Sequence, residues 1–101
     1  MTSAAKDQGV QLGGAKSGQA RSWFVYLLLC GDGSLYTGIT TDPARRFWEH
    51  KSGRGARYTR SRGVKAVVWL QETADQSCAL SLEAAIKRQS VVTKRTLANL
   101  A

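Results

Sequence analysis

Two tyrosines, Tyr26 and Tyr36, stand ten residues apart, and Gly38 follows the second by two positions. A phenol ionises near pH ~10, so it is a poor base at neutral pH unless nearby positive charge or a metal lowers that value. Leu35 to Thr40, LYTGIT, alternates like a strand. Glycine inside a strand weakens it and marks a close approach to the backbone. The preceding run from Trp23 to Cys30 is apolar on both faces, as a central strand requires. Gly31-Asp32-Gly33 between them suits a three-residue hairpin loop closed by a left-handed glycine. That loop pairs Cys30 with Ser34, and sets Tyr26 opposite Gly38 and Leu28 opposite Tyr36. Both tyrosines and the glycine then share one face, with open space expected over the Tyr26 ring. A four-residue loop would put the tyrosines on opposite faces. The plainer alternative is two amphipathic core residues with wet tips.

The elements that must position these groups follow from pattern. A chain of 101 residues forms one domain. Residues 1–21, rich in Gly, Ala, Ser, Gln and Lys, predict a disordered tail without the apolar segment of a secretory signal. The domain is expected over 22–101. After the hairpin, Asp42 and Pro43 suit a helix start, and Ala44, Phe47 and Trp48 make an apolar face. The helix should end near Ser52, before a basic loop, GRGARYTRSRG. A third strand follows, with Val64, Ala66, Val68 and Leu70 facing opposite to Lys65, Val67, Trp69 and Gln71. Asp75 to Arg88 is helical, with Ala79, Leu82 and Ile86 on one stripe. A last short helix is expected over Val91 to Leu100. The order is β-β-α-β-α-α, an α+β arrangement.

A Tyr, a Tyr-x-Gly beginning ten positions later, then a helix carrying Arg and His, resembles the GIY-YIG endonuclease superfamily. Its two triplets correspond to Phe24-Val25-Tyr26 and Tyr36-Thr37-Gly38, and LYTGITTDPARRFWEHKSGRGA resembles its small stand-alone bacterial branch. The first triplet lacks its leading Gly and the second has Thr for Ile. The resemblance spans residues 22 to 97. It implies a three-stranded antiparallel sheet flanked by helices, and metal-assisted hydrolysis of a phosphodiester. The family's site residues fall on Tyr26, Tyr36, Arg46, His50 and Glu83, with Glu83 binding one divalent ion, Mg²⁺ or Mn²⁺. The resemblance does not place the further polar residue that some members use, and Asn99 falls late in the chain for it.

Physical chemistry bears on each assignment. Arg46 and His50 lie four apart, on one helix face. A guanidinium grips two phosphate oxygens and keeps its charge at any working pH. Arg45, the competitor, stands four before Glu49 and suits a surface ion pair. His50, the only histidine, either shuttles protons near neutral pH or is a passive surface residue. Glu83 either pairs with Lys87 on an exposed helix or holds the ion. Glu72 ends a strand and Asp75 caps a helix, which favours Glu83 as the ligand.

Charge indicates the partner. Fifteen Lys and Arg against seven Asp and Glu give a formal charge of +8, which favours a polyanion. Eight of these cations lie between Asp42 and Lys65, against two acids. Lys51, Arg54, Arg57, Arg60 and Arg62 are candidate backbone contacts, with Tyr58 available to stack on a base. The alternative is a solvated charged loop. Two cysteines and one histidine without a close Cys pair do not make a zinc site. No run reaches membrane-span length, and the expected setting is the cytoplasm with both thiols reduced. The leading reading is a metal-dependent endonuclease acting on DNA, with structured or repair-related DNA among its substrates. Its rival is a non-catalytic nucleic-acid-binding module that keeps the fold, because no attached domain is expected to lend target recognition. No obligate protein partner is inferable, and a membrane-surface protein would need a broader amphipathic basic helix.

Overall fold

A computed structural model describes residues 22 to 100, and the expected tail lies outside them. Strand β1, Trp23–Cys30, forms the middle of a sheet between β2, Leu35–Thr40, and β3, Val64–Thr73. Both pairings are antiparallel. The central position follows from β1 being apolar on both faces. Val25 and Leu27 enter one core with Ala79, Ile86 and Ala98. Tyr26 and Leu28 enter a second with Val64, Tyr36 and Phe47. Helix α1, Pro43–Lys51, supplies Phe47 to the second core; α3, Gln76–Lys87, covers the first, and α4, Val91–Leu97, leads into Ala98. The α+β class and three-stranded antiparallel sheet agree with expectation.

The hairpin has the expected register. Cys30 donates its N–H to Ser34 at 2.9 Å, and Gly33 donates to Cys30 at 3.0 Å. Gly33 has φ +85°, the left-handed value such a loop needs. Tyr26 faces Gly38, and Leu28 faces Tyr36. The space at Gly38, however, is filled rather than open. The Tyr26 ring itself lies across it, and a Cβ there would collide with the phenol. The glycine lets a ring from the neighbouring strand lie flat against the sheet.

Three local patterns differ from the sequence reading. In α1 the capping is as expected, with Asp42 accepting from the Arg45 N–H at 3.1 Å. Its buried face is not Ala44-Phe47-Trp48. Ala44 and Trp48 are exposed, while Phe47, Arg46 and His50 turn inward. The buried hydrogen bonds of His50 fix this rotation against the pull of the indole. In β3 two register shifts interrupt strict alternation, one opposite Leu27/Leu28 and one opposite Leu29/Cys30. Trp69 and Val68 therefore both reach the first core, as a bulge permits. The basic segment contains a further short helix, α2, Arg57–Arg62. It docks on the hairpin turn: the Gly31 N–H lies 3.1 Å from both the Arg62 and Gly63 carbonyls.

Helices α3 and α4 end where local chemistry dictates. Asp75 accepts from the Cys78 N–H at 2.8 Å and starts α3. Helix α4 stops short of Leu100. Asn99 takes φ +61°, while Leu100 donates to Arg95 at 2.8 Å and Asn99 to Thr96 at 3.0 Å. That is a Schellman stop, so Asn99 has a terminating role. The Gly38→Ala variant should lose about 1–3 kcal/mol through overpacking against Tyr26. Thermal unfolding beside wild type checks this, and an unchanged midpoint would contradict the close contact.

Candidate active site

Tyr26 projects from the middle of β1 toward the last turn of α1, where His50 is only 1% exposed. The Tyr26 hydroxyl lies 3.0 Å from His50 Nε2. On the other side of the imidazole, Nδ1 lies 2.8 Å from Thr59 Oγ1. Thr59 Oγ1 donates its single hydrogen to the Ala56 carbonyl at 2.9 Å. Oγ1 must therefore accept from His50, which places the imidazole proton on Nδ1. With a neutral ring, Nε2 is the acceptor and Tyr26 the donor. The four groups form a directed chain: Tyr26 to His50 to Thr59 to the Ala56 carbonyl. Gly55 crosses directly over the imidazole, where a Cβ would collide with the ring.

Burial sets the protonation states. Desolvation, reinforced by the Arg46 charge, pushes His50 down from the ordinary 6.5 to about 4. Desolvation also pushes Tyr26 up to about 12, although its hydrogen bond with Arg46 and the Arg46 charge oppose this. The charges of Tyr36 and Glu83 add to the rise. The Arg46 charge acts in the direction that lowers the phenol, and burial outweighs it. At neutral pH both groups are uncharged. Since Tyr26 donates its own hydrogen to His50, its oxygen is left as an acceptor, and Arg46 is one donor to it.

Arg46 occupies the cleft, and Arg45 does not. Arg46 donates to Glu49 at 2.9 Å. The carboxylate expected to pair with Arg45 is thus taken by Arg46, and Arg45 instead stands 3.9 Å from Asp42. Tyr36 completes the cluster, with ring centroids 6.4 Å from Tyr26 and 5.2 Å from His50. The structure therefore brings together Tyr26, Tyr36, Arg46 and His50. Glu83 acts on the group through its charge at Tyr26. Its side chain is 18% exposed and pairs with Lys87 at 3.3 Å, the ion pair weighed in the sequence.

The donor set limits how a metal is held. Among the described residues, no three His, Cys, Asp or Glu side chains are grouped to hold an ion. The Glu83 charge contributes to raising the Tyr26 phenol. A single carboxylate fits Mg²⁺, which keeps several waters and uses phosphate oxygens. An ion there would share Glu83 with the Lys87 ammonium.

Some expected nucleic-acid contacts are committed elsewhere. Tyr58 is stacked between Tyr36, at 5.8 Å, and the Arg62 guanidinium, at 3.7 Å. It is not an open platform for a base. Arg62 also pairs with Asp32 at 3.1 Å, and Lys51 donates to the Val64 carbonyl at 3.0 Å. Arg54, Arg57 and Arg60 remain exposed. Thr59, Ala56 and Gly55 were missed. Gly55, between Arg54 and Ala56, was the one available signal, and it reads from sequence as loop flexibility.

Comparison with known proteins gives this sheet and its cluster a family. Residues 22–95 match the model of the GIY-YIG catalytic domain, and the chain belongs to that family. Its relatives are small bacterial proteins. A UPF0213 protein of Desulfotalea psychrophila is 53% identical over 77 residues, covering 75% of this chain and 70% of that protein. Another, from Cupriavidus pinatubonensis, is 51% identical over 74 residues, covering 73% and 82%. The solution NMR structure of a protein from E. faecalis matches with TM-score 0.53 at 40% identity, covering 78% of this chain and 85% of that one.

The depressed His50 value has a stability consequence. Between about 4 and 6.5 the unfolded chain binds a proton that the folded chain refuses. Stability is therefore full above about 6.5 and falls as pH drops toward 4, by about 3 kcal/mol. Urea unfolding across that range should show the loss, and His50→Gln should remove most of it. Thr59→Val leaves a buried Nδ1 donor without a partner and should cost about 1–3 kcal/mol at pH 7. The imidazole ¹⁵N shifts should then lose the fixed Nδ1–H tautomer.

Proposed function

We propose that this protein is a metal-dependent endonuclease hydrolysing phosphodiester bonds in DNA, with structured or repair-related DNA as substrate and the cytoplasm as its setting. The directed chain from Tyr26 through His50 to Thr59, with Arg46 beside it, carries the reading. A phenol whose hydrogen is already committed offers its oxygen to the hydrogen of an attacking water. As the water loses a proton to Tyr26, Tyr26 passes its own to His50 Nε2. The hydroxide bonds to phosphorus, the phosphorus–oxygen ester bond breaks, and the departing oxygen takes a proton from solvent. Negative charge growing at phosphorus raises the proton affinity of His50, which its resting surroundings hold low. Arg46 grips the non-bridging oxygens with donors not used by Glu49. Tyr36 presents a second hydroxyl to the same phosphate. Glu83 would hold Mg²⁺ or Mn²⁺, which would supply Lewis-acid polarisation of the phosphate and of the leaving oxygen. Arg54, Arg57 and Arg60 support contact with the backbone.

The second reading, a non-catalytic nucleic-acid-binding module, draws on the Glu83–Lys87 ion pair, which occupies the carboxylate proposed for the metal. Incubation with branched, flapped and single-stranded DNA and matching RNA, with and without Mg²⁺, separates the two. Cleavage is expected only with the metal. Tyr26→Phe, Arg46→Ala and Glu83→Ala should each lower the rate at least about a hundredfold. Full activity of Glu83→Ala would refute the mechanism, and salt-sensitive binding without metal-dependent turnover would establish the second reading.

A further inference from the structure

Trp48 is 64% exposed, an unusual state for the largest apolar side chain. Phe47 meets it at an interplanar angle of 69°, and a ring so exposed keeps a flat face open. Trp48, Arg45, Arg46, Glu49 and Arg54 line an open groove of about 510 Å³, within the usual range of small-ligand sites. Three guanidinium groups surround the Glu49 carboxylate, with Arg45 also 3.9 Å from Asp42. Glu49 is held below its ordinary pKa by its hydrogen bond from Arg46, with the charges of Arg45 and Arg54 contributing. The groove thus has a surplus of positive charge around an uncovered indole. Arg46 lines this groove and also the small pocket beside Tyr26, so the two adjoin.

We infer that the groove holds one unpaired nucleotide next to the phosphate at Arg46. Its base stacks on Trp48, and its backbone lies on Arg45 and Arg54. This deepens the nucleic-acid reading above and rests on it. Every base has a flat π-face, so an exposed aromatic among cations is a platform for single strands without sequence preference. A base inside a duplex has both faces covered by its neighbours and cannot use it. The substrate class that follows is DNA with an unpaired nucleotide beside the cut, such as a flap, a gap or a frayed junction. The open ring that α1 turns outward, away from the sheet, supplies the recognition that Tyr58 cannot.

The test is binding in EDTA, where metal-dependent cleavage is blocked. The probes are a labelled oligothymidylate and a blunt duplex of equal length, read by fluorescence anisotropy and tryptophan emission. Oligothymidylate should quench wild-type emission. Trp48→Ala should abolish most of that quenching and weaken oligothymidylate binding at least about tenfold, with the duplex changed less than twofold. Trp48→Phe, which keeps a ring, should retain most of the affinity. Arg45→Ala and Arg54→Ala should each flatten the single-strand salt dependence by about 0.7 in log–log slope. An unchanged Trp48→Ala affinity, or equal loss for both probes, overturns the inference. Cleavage with Mg²⁺ is scored separately. A discriminating Trp48 effect without turnover refutes the nuclease reading alone, and turnover without that effect refutes this inference alone.

Discussion

A neutral imidazole buried between the sheet and two helices holds this site together. His50 joins Tyr26 on the central strand to Thr59 on the short second helix, and both of its ring nitrogens are used. A buried polar group without partners is costly, and each partner of His50 comes from a different element. Once the imidazole is seated, the rotation of α1, the passage of Gly55 over the ring and the direction of the Tyr26 hydroxyl are fixed together. Arg46 faces the cleft because it shares the helix face of His50. Trp48 faces solvent because it does not.

The same burial decides the electrostatics. Removing Tyr26 and His50 from water disfavours the charged form of each, so one value rises and the other falls. The resting site is a hydrogen-bonded neutral pair beside a permanent cation. Such a pair is indifferent to pH near neutrality.

Legibility in the sequence followed the range of the interaction. The hairpin could be read because a period of two and one left-handed glycine fix its register locally. That reading placed Tyr26 over Gly38 correctly and misjudged only what fills the gap. The caps at Asp42 and Asp75 are similarly local. The burial of His50 was not legible, because its partners lie 24 residues before it and nine after it. The outward turn of Trp48 has the same cause, since helical periodicity alone favours burying two adjacent rings. The bulges in β3 arise from pairing with β1, and no pattern within β3 announces them. Tyr58 and Arg62 read as free because nothing in a basic run shows that its members stack on one another.

The way the basic segment is fastened has a thermodynamic meaning. Backbone bonds from Gly31, the Arg62–Asp32 ion pair and the stack of Arg62, Tyr58 and Tyr36 clamp α2 to the hairpin tip. A loose cationic loop must give up conformational freedom whenever it meets a polyanion, and that loss subtracts from affinity. Here the ordering is completed during folding. The exposed arginines of α2 are carried on an ordered segment, so a polyanion binding there would meet backbone positions already set instead of a chain that moulds itself around it.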